Sequence, residues 1–399
     1  MPDLRQPCPR GGNPMSLSPY QPRPEHGRPG TIRKSLALLG VGGVLSGAVL
    51  TAFAPVGQAQ VASKGAMIAG AGVSSVYGAT ADLGLEIEDL FSAGIDLSLD
   101  YRLGDRGQGL SLDVEKAVAL GQTALGADTV LDFGLTAEVD EWDFRSYRRE
   151  SYGVSVGVGA AITPQLRYRV GLFHVADDLS EADDDLSPLI QADMGDSDAT
   201  GVEASLSWSN RQSKSVLEPG ADLGVAIRAS GLGDSREFTE TTAHVDIYQP
   251  VFGPAVLNLG LSGGVVRNGD DGYVAINERA FLGGDMPRGF AYGGIGPMDA
   301  STGDALGGTR YVAATLEVMV PTARPDLAVG AFWDAATLSD LPGIDSPNVD
   351  DSAHLRQSVG LSLAYQTKMG EFTASIAEPI EKRDGDDVQN ISFSFTASF

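Results

Sequence analysis

The sequence holds one cysteine, Cys8, and four histidines. A lone thiol cannot staple the chain to itself. His26 lies within the first 59 residues, and His174, His244 and His354 show no metal-ligand spacing, so a structural metal centre finds no ligand set and these three side chains read as polar lumen or rim groups. Basic residues are scarce: 28 Lys and Arg stand against 53 Asp and Glu, a formal charge of −25. A chain this acidic repels nucleic-acid phosphates, which excludes a DNA or RNA partner. No segment beyond residue 59 carries a helical period. No Ser-His-Asp pattern is visible, and Gly70-Ala-Gly72 and Gly293-Gly-Ile-Gly296 do not open a helix after a strand, so neither a hydrolase nor a nucleotide site is expected. No catalytic residue, metal or cofactor is assigned.

What is present begins with a targeting segment. Arg33-Lys34 precedes the apolar stretch Ser35–Ala54, and Gly57-Gln-Ala59 offers small residues for cleavage. Residues 1–59 therefore read as a secretory signal in preference to an N-terminal anchor, and the stretch before Met15 is compatible with an over-extended gene start. Removal of 1–59 would take Cys8 with it and leave 22 basic against 51 acidic side chains.

Residues 60–399 form one repeating pattern. Segments of period two recur from Gly65 onward, separated by turn residues, and about sixteen reach spanning length. Leu131, Phe133 and Leu135 alternate with Asp132, Gly134 and Thr136; Leu166, Tyr168, Val170 and Leu172 alternate with Arg167, Arg169 and Gly171. A soluble sandwich alternates too. A charge on a lipid face costs about 2–4 kcal/mol at mid-membrane, however, and these segments sort charge onto one parity repeatedly. The expectation is an all-β, transmembrane antiparallel β-barrel of about 16 strands.

Connections alternate in length. Thr163–Gln165, Pro250–Pro254, Pro321–Pro325 and Lys368–Gly370 are tight, whereas Asp177–Ala199, Asn268–Gly308 and Leu338–His354 are long. Short turns at one end and long loops at the other suit periplasmic and extracellular sides, with both termini periplasmic. The segments 165–176 and 200–210 are read as strands flanking an acidic loop, Asp177–Asp198. Its nine acids and lack of any Lys or Arg suggest a solvated, repulsive surface over a calcium loop.

Two termini of the pattern stand out. The last segment, Gln389–Phe399, puts Ile391, Phe393, Phe395, Ala397 and Phe399 on one face and ends on an aromatic, at the level where aromatic girdles sit. The first, Gly65–Val73, contains Ala69, Gly70 and Gly72 and is poor in bulky side chains. It has to close against Gln389–Phe399 with few cross-strand contacts, giving a soft seam.

Near the C-terminus Arg288-Gly289-Phe290 lies in a glycine-rich loop before the twelfth strand. Glu317 and Asp334 occupy the polar parity of the next two strands, which also carries Thr315 and Phe332. An arginine folding back into the barrel would meet both carboxylates. The run Phe281-Leu-Gly-Gly through Arg288-Gly-Phe-Ala-Tyr-Gly-Gly-Ile-Gly-Pro297, then Leu306-Gly-Gly308, Leu316-Glu-Val318, Phe332-Trp-Asp334 and Asp384-Gly-Asp386, resembles the barrel of BamA/TamA-type outer-membrane assembly factors, the bacterial surface antigen superfamily. The resemblance implies that Arg288 enters the lumen and contacts Glu317 and Asp334. It also implies a lateral gate between first and last strands, a role in protein insertion or translocation, and a bacterial outer-membrane location. Implied partners are membrane lipid and lipopolysaccharide, unfolded or translocating outer-membrane proteins, and the cell's barrel assembly machinery, which would insert this chain and read its terminal Phe399. Two departures from the family are noted. Ala336 stands where glycine is usual, and with the signal ending near Ala59 and the first strand starting near Gly65, a barrel without POTRA domains is the expectation.

Overall fold

The computed structural model describes residues 64–397 except 75–77, 89, 91–92, 105–106, 119–128, 142–145, 182–185, 214, 234–235, 270–271, 325 and 368–369. The signal segment and Phe399 lie outside the described residues. The first strands are β1 (Lys64–Ser74), β2 (Gly78–Glu88), β3 (Ile95–Gly104), β4 (Gly107–Val118), β5 (Thr129–Glu141) and β6 (Tyr147–Ala161). Next come β7 (Leu166–Glu181), β8 (Gly195–Ser209), β9 (Gly220–Ser230), β10 (Thr239–Pro250), β11 (Val256–Arg267) and the short β12 (Gly289–Phe290). The chain ends with β13 (Arg310–Pro321), β14 (Leu327–Ser339), β15 (Arg356–Gln366), β16 (Gly370–Glu381), the short β17 (Val388–Gln389) and β18 (Ile391–Ala397). Sixteen of these form one antiparallel sheet in chain order from β1 to β18, while β12 and β17 pair separately. The edge strands β1 and β18 lie close together, which brings the sheet round into a barrel.

Alternation decides which face is which. On β5, Leu131 and Phe133 are exposed while Gly134 is buried; on β7, Val170 and Leu172 are exposed while Arg169 pairs with Asp132 and Glu203. On β13, Val312 and Leu316 face out and Ala313, Thr315 and Glu317 face in. The apolar outer girdle thus encloses a charged interior, the inverse of a soluble core. No helix among the described residues is long and apolar enough to cross a membrane.

The long-loop end is roofed. Leu186, Leu189 and Ile190 after β7, Ile276, Phe281, Tyr292 and Leu306 after β11, and Leu341, Ile344 and Val349 after β14 pack into one cluster with Tyr147 and Leu179. Carboxylates stitch the roof. Asp304 accepts from the Ser146 backbone N–H at 2.9 Å and the Ser187 N–H at 2.7 Å, and Asp299 accepts from the Ser187 hydroxyl at 2.6 Å.

Three expectations change. First, β7 and β8 run to Glu181 and from Gly195, beyond the expected 165–176 and 200–210, so much of the acidic stretch Asp177–Asp198 is strand. Secondly, it is not uniformly a solvated surface. Asp177 is buried between Arg149 (2.9 Å) and Arg236 (2.6 Å), and Asp193 accepts from the Tyr273 hydroxyl at 2.6 Å and the Ile276 N–H at 2.9 Å. The basic partners come from other elements, which the composition of the stretch alone conceals. Thirdly, Gln389–Phe399 is not one continuous strand. Asn390 interrupts it, its amide donating to the Ala377 carbonyl at 2.8 Å, and the preceding Val388–Gln389 turns aside to pair with Gly289–Phe290.

Candidate functional site: a loop locked inside the barrel

The connection between β11 and β13 enters the lumen. Positive φ angles at Gly283 (114°) and Gly289 (92°) let the backbone reverse there. Room is equally decisive. A β-carbon on Gly289 would sit 3.1 Å from the Ala377 β-carbon and 3.2 Å from that of Ser358, both on the inner wall. Phe290 is wholly buried against Ile295, Ala313 and Ala336. Alanine at 336 therefore serves as part of a small-residue pocket for this ring, and the departure from glycine is accommodated.

Arg288 meets both predicted carboxylates. Its Nε donates to Asp334 Oδ2 at 2.8 Å and its Nη2 to Asp334 Oδ1 at 2.9 Å, a two-pronged pairing. Nη1 donates to Glu317 Oε1 at 3.1 Å, and the backbone N–H of Arg288 adds a bond to Asp334 Oδ2 at 3.1 Å. Around them, the Thr315 hydroxyl donates to Asp334 Oδ1 at 2.6 Å, Ser362 donates to Glu317, and the guanidinium lies 3.4 Å from the centre of the Phe332 ring. Asp334 is fully enclosed, with 0% of its side chain exposed. Burial works against the charge on Arg288, but the bonds to Asp334 and Glu317 more than offset it, so the group is held more firmly protonated than a free arginine. Such a cluster fixes a position and does no acid–base chemistry.

Further fastenings hold the loop. Phe290 pairs with Val388 and Gly289 with Gln389, and the Asp387 carbonyl accepts from the Ala291 N–H at 3.0 Å. Arg356 grips Asp386 at 2.8 Å, which explains the Asp384-Gly-Asp386 motif as an anchor for the strand that meets the loop. Asp285 lines a 350 Å³ lumen cavity together with Arg228, Glu240, His244 and Tyr311. Burial pushes its carboxyl up to about 6, only partly countered by Arg288.

The sequence pattern missed Ser362, Arg356 and the roof aspartates Asp299 and Asp304 as structural partners. Ser362 shares the inward parity of β15 and was findable by alternation alone; the others depend on long-range pairing that no local signal encodes.

The seam residues are less closely joined. On β1, Ala69 stands opposite Leu83, Gly70 opposite Asp82 and Gly72 opposite Thr80, all in the ladder with β2. On β18, Phe393 stacks against Phe372 of β16 with ring centres 6.2 Å apart, and Phe395 stands opposite Phe372 in the ladder. Among the described residues no ladder joins β1 to β18, although the two are adjacent. His174 bonds Thr200 and His354 bonds Asp350, and no group of metal-ligating side chains occurs among the described residues.

Comparisons with known proteins agree with this architecture. The model of the Omp85 superfamily domain matches residues 89–399. The outer membrane protein assembly factor BamA of Neorickettsia risticii is 27% identical over 257 residues, covering 63% of this chain and 34% of that protein. BamA of Nitratidesulfovibrio vulgaris is 26% identical over 335 residues, covering 81% of this chain and 40% of that protein. The chain thus spans well under half the length of these two relatives. In three dimensions it superposes on the crystal structure of BamA from Haemophilus ducreyi lacking POTRA domains 1–3, with a TM-score of 0.67 at 20% identity, over 82% of this chain and 69% of that one. The locked inward loop, the barrel and the family match fall on the same residues, and the chain belongs to the Omp85 superfamily.

Proposed function

We propose that this barrel resides in the bacterial outer membrane with both termini on the periplasmic side, and assists insertion or translocation of other outer-membrane proteins without enzymatic chemistry. The observation that carries the reading is the seam. Every other neighbouring pair of barrel strands shares a backbone ladder, whereas β1 and β18 touch without one among the described residues. A junction so much more sparsely joined than its neighbours is the place where an incoming strand can most easily enter the sheet. An unfolded or translocating outer-membrane protein supplies such strands, with membrane lipid and lipopolysaccharide as the surrounding partners. The relatives' names support the same role at the level of the family, and fold alone does not establish it. The chain itself enters the membrane through the cell's barrel assembly machinery on this reading.

The test is depletion followed by an inventory of outer-membrane proteins: a selective fall in other barrels is expected, and an unchanged inventory rejects the role. A second experiment joins Ala69→Cys to Phe393→Cys or Phe395→Cys. Oxidation is expected to abolish the activity and reduction to restore it. A passive channel is the competing reading. The roofed lumen disfavours it, and steady, large conductance of the purified protein in a planar bilayer would reinstate it.

A further inference from the structure

At the opposite mouth of the barrel, where the short turns lie, the connection from β8 to β9 stands out among the described residues. Its described residues, 210–213 and 215–219, do not all stay at the rim of β8 and β9: 215–217 reach the inner wall formed by β13 to β16. Val216 and Leu217 pack on Met319, Ala328 and Ala364, which are inward-facing residues near the short-turn ends of β13, β14 and β15. The Ser215 hydroxyl reaches Glu371 Oε2, at the start of β16, at 3.4 Å. The segment thus passes over the ends of β10 and β11 without packing its apolar pair there, and lands on the far wall. That wall is lined with small side chains where it lands: Ala328 stands opposite Ala364, and Met319 opposite Gly330.

The two ends of the segment are held unequally. At the root, Arg211 donates to Asp222 Oδ2 at 2.9 Å and to the Ser215 carbonyl at 2.6 Å, and its guanidinium lies 3.6 Å from the centre of the Tyr248 ring. Asn210 adds a side-chain bond from the Ala221 N–H at 2.7 Å. At the tip, two half-buried apolar side chains rest on the wall, and a single carboxylate, Glu371, accepts from the Ser215 hydroxyl at 3.4 Å and from the Val216 N–H. A root fixed by the Arg211 contacts and a tip that rests on one carboxylate and a small apolar shelf is the mechanical arrangement of a flap. Val216 and Leu217 gain by leaving water, but the contact is small enough to break without disturbing the wall.

We propose that residues 210–219 are a hinged strap that closes the short-turn mouth, so that solutes enter the lumen from that side only when Val216 and Leu217 leave the Met319–Ala328–Ala364 shelf. The proposal does not rest on the insertion reading, because it concerns access to the lumen whether or not a client is ever handled.

Thiol accessibility tests it, in a full-length Cys8→Ser background. Ser262 lines the lumen cavity beyond the strap. With Ser262→Cys, a charged, membrane-impermeant maleimide applied to the detergent-solubilised barrel is expected to react slowly, and Val216→Ser with Leu217→Ser is expected to speed the reaction several-fold. Equal rates in the two backgrounds overturn the proposal. Thr242→Cys, on the wall of the same cavity, gives a second reading that does not depend on tolerance of a cysteine at position 262. Protection lost in the double-serine variant supports the strap, and the same rate with and without the serines rejects it. Heat-modifiable mobility of each variant confirms that the barrel is folded before labelling.

Discussion

Ser392, on the last barrel strand, donates its hydroxyl to the carbonyl of Gly284 at 3.2 Å, across 108 residues of sequence. This bond attaches the inward loop to the edge strand itself. The Arg288 cluster attaches the same loop to β13 and β14, so one connection spans the wall from its middle to the seam. Ser392→Ala is expected to leave a buried carbonyl unmet and to cost about 1 kcal/mol. The effect should appear as faster backbone hydrogen exchange confined to β18 and the loop, and uniform exchange changes would contradict it.

Arg288→Ala leaves Asp334 buried without its cation. If the cluster is dry, the loss is roughly 3–5 kcal/mol. Arg288→Lys retains a charge but loses the paired geometry, and should fall between the two. Folded yield and the temperature at which heat-modifiable mobility is lost provide the readout. Unchanged values in Arg288→Ala would show that the cluster is dispensable.

Gly283 and Gly303 both have positive φ, 114° and 85°, but their surroundings differ. A β-carbon at 283 would collide with the Ala291 carbonyl oxygen, whereas nothing lies within 4 Å at 303. Gly303→Ala is therefore expected to cost only backbone strain, about 1–2 kcal/mol. Gly283→Ala should cost clearly more and release Phe290 from its pocket, as measured by protease sensitivity of the loop. Equal costs would place the constraint in the backbone alone.

Asp285 ties stability to pH. Folding raises its carboxyl from 3.8 to about 6, so the folded chain holds a proton that the unfolded chain has already released. Its contribution is fully favourable below pH 3.8 and is lost as the pH climbs through 6, by an amount on the order of 3 kcal/mol. Asp285→Asn should flatten that part of the stability profile and raise stability at neutral pH. A profile that keeps its slope between pH 4 and 6 would assign the dependence to other groups.

The barrel was legible in the sequence because alternation is a local signal. Val312 and Leu316 against Thr315 and Glu317 declare their faces within a few residues. The Arg288 cluster was legible for the same reason, since parity places Glu317, Phe332 and Asp334 on one side and the resemblance supplies the arginine. What alternation cannot show is where a strand stops once its charges find distant partners. Asp177 looks like loop until Arg149 and Arg236 stand beside it. Nor does it reveal that Asn390 breaks the final strand, or that Val216 and Leu217 in a polar turn reach a wall several strands away.

The small side chains of the inner wall have one more consequence. Ala313, Ala328, Ala336, Ala364 and Ala377 are buried on the face opposite the lipid, beneath the loop or the strap. Strands β13 to β16 are therefore enclosed on both sides, like the middle layer of a three-layer protein, while β3 and β4 present an ionised inner face. Enlarging any of these alanines leaves no free direction for the added atoms. Mutational tolerance around the circumference should be strongly lopsided, with one half of the cylinder forgiving and the other exacting.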